Sequence, residues 1–362
     1  MTNFNYAPPP AAAQGRKGLR VEYGVTETPG MKTFALGIDL GGTLIKAAAV
    51  SPEGKILTKA RVPTRRADGP AVAVRQMAAF ARELSAKVRG RKLAGMGVGI
   101  PGPLDRRTPN VVRLTNFPGW EGYPLKSALE KELGRPVVME NDANLAAVGE
   151  QWMGAAKKMS SFLFVTLGTG VGGGLVLDGK LWTGVWGLAG EFGHVKVEPD
   201  GLACGCGSRG CVEMHASGTA IVRMAKGVLG HGGKSGAFVR SPLYRLSGGN
   251  PDSVDAALVC DAARQGDEAA IEIYRLVGRY LGQALADVVN LLDIRDFLFG
   301  GGISNAFDVF HPYLHEELRR KVYGQSTEGI TVERSLLGED AGVLGAARLA
   351  FQKSAASPRR GH

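Results

Sequence analysis

Two distant stretches of this chain are built alike. FALGIDLGGTLIKAAAV occupies residues 34–50 and SFLFVTLGTGVGGGLVL occupies residues 161–177. Each is an apolar run, a glycine-rich turn and a second apolar run, which is the pattern of a β-hairpin. The flanking segments echo each other as well. After the first hairpin a strand is expected near 55–63, a helix at 71–88, a strand at 93–100, a short helix at 125–133, a strand at 136–140 and a helix at 143–153. After the second, strands are expected at 180–182 and 297–299, and helices at 215–228, 254–265, 267–292, 306–321 and 342–350. Residues 230–251, rich in Gly and Ser, are expected to form a flexible insertion. A repeated α/β module predicts two related lobes with a ligand cleft between them. The expected division is 32–153 for the N-terminal lobe and 154–353 for the C-terminal lobe, with the last helix packing back on the first lobe.

The 362 residues are 44% hydrophobic and 22% charged, ordinary values for a globular enzyme. The formal charge of +10 raises nucleic acid as a partner. Its Lys and Arg residues form only short clusters, such as Arg65-Arg66, Arg106-Arg107 and Lys157-Lys158, so a solvated surface is expected and no nucleic-acid partner. No apolar run approaches the ~20 residues that span a bilayer. Residues 1–31 and 354–362 read as disordered tails, and 1–31 lack a signal-peptide core. The expected location is the cytoplasm, where thiols stay reduced.

The glycine turns suggest anion binding. In Asp39-Leu40-Gly41-Gly42-Thr43 and Leu167-Gly168-Thr169-Gly170-Val171, glycine lets backbone N–H groups approach a phosphate and Thr adds a hydroxyl. Either turn alone is explained by hairpin geometry; the pair points to phosphate. No Gly-Lys-Ser/Thr follows, so neither is a Walker A loop. Asp39 is suited to Mg²⁺. A third glycine turn, Gly300-Gly301-Gly302, follows an apolar strand and offers backbone for a base or ribose to lie against.

Three carboxylates stand out. Asp142, in Glu140-Asn141-Asp142-Ala143-Asn144, follows a buried strand and faces the expected cleft. It reads as a general base beside a hydroxyl-binding amide, Asn141, although either side chain also suits a helix N-cap. Glu191 and Glu213 bracket a cysteine cluster and could accept hydrogen bonds from vicinal hydroxyls. Three of the four cysteines lie in Cys204-Gly-Cys206-Gly-Ser-Arg-Gly-Cys211, just after Glu191-Phe-Gly-His194. His194 with Cys204, Cys206 and Cys211 is the donor set of a structural zinc site. A disulfide and a buried apolar segment are the competing readings, and His215 is a competing ligand. Cys260, in an apolar helical run, reads as a small buried hydrophobe.

The motifs DLGGT, GIPGP, ENDAN, TLGTGVGGG, EFGH, CGCGSRGC-VE and GGGIS, in that order from about Phe34 to Ala350, resemble the ROK family of sugar kinases and repressors, in the actin/hexokinase/Hsp70 superfamily. The resemblance implies an α/β, two-lobed ribonuclease H-like (actin-like ATPase) fold with a small zinc-bound loop at 194–211. It implies Asp142 as catalytic base and Asn141, Glu191, His194 and Glu213 as sugar contacts. It implies structural Zn²⁺ on His194, Cys204, Cys206 and Cys211. Asn116, in Asn-Phe-Pro-Gly-Trp, resembles a segment that closes over the sugar. ATP and Mg²⁺ are the implied cofactors, with contacts at Asp39, Gly41, Gly42, Thr43, Lys46, Thr169, Gly170, Gly301 and Gly302. The implied activity is that of a glucokinase acting on the C6 hydroxyl, and a homodimer is the implied assembly. A kinase of N-acetylhexosamine, mannose or fructose shares the same motifs. A polyphosphate donor is disfavoured by the cysteine cluster. A DNA-binding repressor is disfavoured because residues ahead of Asp39 leave no room for a winged helix-turn-helix.

Overall fold

The computed structural model describes residues 32–104, 117, 119–231 and 238–356 of the chain. Its first sheet holds β1 (Thr33–Leu40), β2 (Leu44–Val50), β3 (Ile56–Pro63), β4 (Lys92–Ile100) and β5 (Val137–Asn141), in the order β3-β2-β1-β4-β5. Its second holds β6 (Phe162–Leu167), β7 (Val171–Leu177), β8 (Lys180–Trp182), β9 (Asp296–Gly300) and β10 (Thr331–Arg334), in the order β10-β9-β6-β7-β8. The two orders are the same module written twice. In each, an antiparallel three-strand meander is extended from its first strand by two parallel strands. The echo between the two hairpins therefore extends to whole sheets, as expected of the ribonuclease H-like fold.

Alternation along the central strands explains the layers. On β1, Phe34, Leu36, Ile38 and Leu40 face one core, made with α1 (Pro70–Lys87) and α2 (Leu125–Leu133). On β6, Phe162 and Phe164 face α3 (Asp142–Met153), while Leu163, Val165 and Leu167 face the larger core. That core is completed by α4 (Glu213–Ala216), α5 (Gly218–His231), α6 (Pro242–Ser247), α7 (Ala256–Arg264), α8 (Glu268–Leu292) and α9 (Phe307–Lys321). The last helix, α10 (Ala341–Ala356), returns to the first sheet, where Val343, Leu344 and Ala347 pack on Ala35, Ala48 and Val50.

Helices α3 and α10 also pack on each other, with almost no side chain between them. A Cβ on Gly345 would lie 1.8 Å from Leu145 O, and one on Gly149 would lie 2.2 Å from Ala341 O. The two backbones touch, and each helix covers a different sheet.

Three expectations need correction. The single helix expected at 215–228 is two, α4 and α5, because Ser217 is extended (φ −77°, ψ 165°) and its Oγ accepts the Ala220 N–H at 3.1 Å. The stretch expected as a flexible insertion contains α6 in its described part. There Ser241 caps the helix, Gly248 ends it in the left-handed region, and Leu243 is buried with its N–H donated to Asp267 Oδ2 at 2.8 Å. Strand β10 was not expected at all; its sequence TVER carries little apolar signal.

Candidate active site

The strand ends and helix starts of both modules meet at one cleft. It encloses about 410 Å³ and is lined by Asp39, Lys46, Asp142, Gly300, Gly301 and Gly302 among others. Asp39 sits near the end of β1. Asp142 opens α3, directly after β5. The start of α10 reaches the same place, since a Cβ on Gly342 would lie 3.2 Å from Asp39 Oδ2. Two helix N-termini thus aim the positive end of a dipole at the cleft, which favours anions there.

The electrostatics of this floor are unusual. Burial pushes the Asp142 carboxyl up to about 7, and the nearby charges of Asp39 and Glu191 add to the rise. Burial also raises Asp39, opposed only by the charge of Lys46. Lys46 Nζ is itself 3.6 Å from Glu339 Oε2. Two carboxylates that repel each other in one cleft suit a divalent cation.

Asn141 serves as the N-cap of α3. Its Oδ1 accepts the Ala143 and Asn144 N–H groups at 2.9 and 3.1 Å, and its Nδ2 donates to Gly102 O at 3.4 Å. The capping role weighed in the sequence is therefore real, and it fixes the backbone that carries Asp142. Beneath it, Glu140 Oε1 accepts the Asn141 N–H and the Asn144 Nδ2–H, both at 3.0 Å.

The cysteine cluster folds as the donor set of a metal site. All four cysteines are free thiols, which removes the disulfide reading. The donor atoms of His194, Cys204, Cys206 and Cys211 lie within 4.8 Å of one another. Cys206 Sγ is 3.6 Å from Cys211 Sγ, and Cys204 Sγ is 3.7 Å from His194 Nδ1. Donors bound at ~2.0–2.3 Å to one tetrahedral ion stand roughly 3.3–3.8 Å apart, so these two pairs already have zinc spacing, and the four donors together, within 4.8 Å, would close onto the ion by a small contraction. Lys196 Nζ donates to Cys211 Sγ at 2.9 Å, a positive charge beside three thiols. His215 is not part of the set; its ring packs on Tyr280 at 4.3 Å. Cys260 is buried in the larger core, as expected.

With Nδ1 turned to the thiols, His194 presents Nε2 to Glu191, whose Oε2 is 3.8 Å away. Glu213 reaches the other way: its Oε2 accepts the Val171 N–H at 3.0 Å, at the turn between β6 and β7. That turn is held again where Gly218 N donates to Gly168 O at 2.8 Å and Thr219 Oγ1 to Thr169 O at 2.8 Å.

This chain matches the family model described as "ROK family" over residues 35–353. It belongs to the ROK family. Among relatives of this ROK chain, the glucokinase of Thermotoga maritima is 40% identical over 318 residues, 88% of this chain and 97% of that protein. The glucokinase of Streptomyces coelicolor is 38% identical over the same shares of the two chains. A solved ROK family glucokinase from Streptomyces griseus, in complex with glucose and AMPPNP, is 37% identical. It superposes with a TM-score of 0.76 over 88% of this chain and 99% of its own.

Within the ROK chain the residues singled out from sequence fall into three groups. Asp39, Lys46, Asp142, Gly301 and Gly302 line the cleft. Gly41, Gly42, Thr43, Thr169 and Gly170 sit on the two hairpin turns outside that lining, with both Thr residues exposed. Asn141 caps α3, while Glu191, His194 and Glu213 lie on or beside the metal loop. Asn116, Arg106 and Arg107 lie outside the described residues. Sequence reading missed Asn305, Arg334, Ser335 and Glu339, all of which line the cleft. Arg334 Nη2 donates to Asn305 Oδ1 at 3.0 Å, so β10 and the turn after β9 form one wall. Among the described residues no helix is long and apolar enough to cross a membrane.

Proposed function

We propose that the chain is an ATP-dependent hexose kinase that transfers the γ-phosphoryl group of ATP to the C6 hydroxyl of glucose, giving glucose 6-phosphate. One observation carries the reading: Asp142, at a helix N-terminus in the shared cleft, has its pKa raised to about 7. A base with a pKa near the working pH is ionised often enough to act and basic enough to take a hydroxyl proton. The glucose and AMPPNP held by the Streptomyces griseus relative support the same substrates.

In this reading glucose lies over Asp142, against Asn141, Glu191, His194 and Glu213, with Asn116 as a further contact. Asp142 takes the C6 proton as that oxygen attacks. Gly41, Gly42, Thr43, Thr169 and Gly170 hold phosphate oxygens from the two turns. Gly301 and Gly302 let the nucleoside approach the backbone. Asp39 would hold Mg²⁺, which supplies charge neutralisation for the transferred group. Lys46 adds a second positive charge. Phosphoryl transfer is mostly positioning and electrostatics, which is what a rigid cleft between two sheets provides.

Zinc on His194, Cys204, Cys206 and Cys211 would be structural, since four protein donors leave no open position. It would fix the tautomer of His194 and leave Nε2 as the nitrogen for a sugar hydroxyl. We take the lobes to be 32–153 and 154–353, the location to be cytoplasmic and the assembly to be a homodimer. Exposed Trp182, Val185, Trp186 and Leu188 offer apolar surface for a second copy.

The test is a coupled assay with Mg-ATP across glucose, mannose, fructose, N-acetylglucosamine and N-acetylmannosamine. The reading expects the highest kcat/KM for glucose. A clear preference for an N-acetylated sugar would replace the substrate, and no turnover of any hexose would overturn the kinase reading.

A further inference from the structure

Glu150 is the one fully buried carboxylate in the described residues without a role in the site above. It lies two turns along α3 from Asp142, at ~1.5 Å per residue about 12 Å away. Its oxygens face donors from two segments. Oε1 accepts from Ser335 Oγ at 2.5 Å and from the Leu337 N–H at 2.9 Å. Oε2 accepts the Ala155 N–H at 2.8 Å and, longer, the Leu336 N–H at 3.4 Å. A carboxylate removed from water is tolerated only where donors replace the solvent, and here the loop backbone and one hydroxyl do so.

The segment it holds is the one that leads from β10 into α10. Ser335 N donates to Phe299 O at 2.8 Å, and Gly338 N donates to Ser335 Oγ at 3.3 Å. Ser335, Gly338 and Glu339 all line the cleft, together with Asp142 and Gly300–Gly302. The same segment sets the start of α10, which approaches Asp39. The fit is close on the other side as well, because a Cβ on Gly154 would lie 1.9 Å from Glu150 Oε2.

We propose that Glu150 is a positioning residue for the nucleotide: by binding residues 335–337 to the end of α3, it fixes the cleft wall formed by Ser335, Gly338 and Glu339. This rests on the kinase reading. The helix that carries the proposed base at its start thus carries, near its other end, the anchor for the nucleotide wall. One rigid element sets the distance between the two.

The experiment compares wild type with Glu150→Gln and Gly154→Ala. The first replaces an acceptor oxygen with a donor that faces N–H groups. The second displaces the carboxylate without altering any residue of the cleft, so it keeps the test open should Glu150→Gln fail to fold. ADP and AMPPNP affinity are measured by calorimetry, and KM for ATP and for glucose by steady-state assay. We expect nucleotide Kd and the KM for ATP to rise about tenfold or more, as misplacement by a fraction of an ångström in a positioned site does. The KM for glucose should stay within about twofold. Folded variants with unchanged nucleotide Kd, or with both KM values raised equally, overturn the positioning role. Wild type that binds neither nucleotide overturns the kinase reading instead, so the two failures are distinguishable.

Discussion

Glu213 Oε2 accepts the Val171 N–H at 3.0 Å, so the segment just after Cys211 is bonded to the turn between β6 and β7. Its other oxygen lies 4.0 Å from Cys204 Sγ. The metal loop, a proposed sugar contact and a proposed phosphate turn therefore share one side chain. Purified protein should carry one zinc per chain. Cys204→Ser should lose it and raise the KM for glucose, and through Glu213 it should raise the KM for ATP as well. Metal analysis with both KM values checks this; unchanged zinc content and unchanged KM for glucose would show that the cysteines cluster for another reason.

The pairing of Asp39 with Asp142 predicts how the site titrates. Burial and the Asp39 charge hold Asp142 near 7, so its base form is lost as pH falls below 7, about tenfold per unit. A divalent cation at Asp39 would cancel part of the repulsion and lower the Asp142 midpoint. A carboxyl-carbon NMR titration should show a midpoint near 7 without metal and a lower one with Mg²⁺. A midpoint near the ordinary 3.8, unmoved by Mg²⁺, would contradict the electrostatics.

The same shift has a consequence for stability. The Asp142 pKa is raised in the folded state, so folded protein binds the proton more tightly than unfolded protein does. Stability contributed by this group is present below about pH 4 and is lost as pH rises to about 7. Asp142→Asn removes that loss. The variant should melt at a higher temperature than wild type at pH 8, and the gain should vanish near pH 4. An equal Tm difference at both pH values would contradict this.

The contact of α3 with α10 predicts intolerance at its glycines. Gly345→Ala puts a Cβ 1.8 Å from Leu145 O, and backbone cannot rotate away as a side chain would. Overpacking of this kind costs typically ~1–3 kcal/mol. Thermal denaturation should show a lower Tm than for Gly227→Ala, where nothing lies within 4 Å of the added carbon. Equal Tm values for the two variants would mean that the helices are not in backbone contact.

Local signals explain what was legible in the sequence. The two hairpins were readable because apolar alternation and glycine turns are both short-range. The cysteine cluster was readable because its donors lie close together in the chain, and the structure only had to show that they converge. The split at Ser217 carried one local signal, Ser-Gly, where Ser217 Oγ caps Ala220, but the apolar period runs across it and the break is also held by the distant Gly218 bond to Gly168. The wall of Asn305, Arg334 and Ser335 was hidden for the same reason. Its strand is four residues long, and its meaning comes from the pairing of β10 with β9 and from a carboxylate, Glu150, that lies 185 residues before Ser335.

The central claim is that Asp142 takes the C6 proton in an ATP-dependent phosphorylation of glucose. The most direct measurement is steady-state turnover of glucose and Mg-ATP by wild type and Asp142→Asn, with the product identified by phosphorus NMR and with glucose affinity measured separately. The account predicts glucose 6-phosphate from wild type, a kcat lower by ~10²–10⁴ in the variant, and glucose affinity close to wild type. A variant that keeps more than about a tenth of wild-type kcat would remove Asp142 from the role of base.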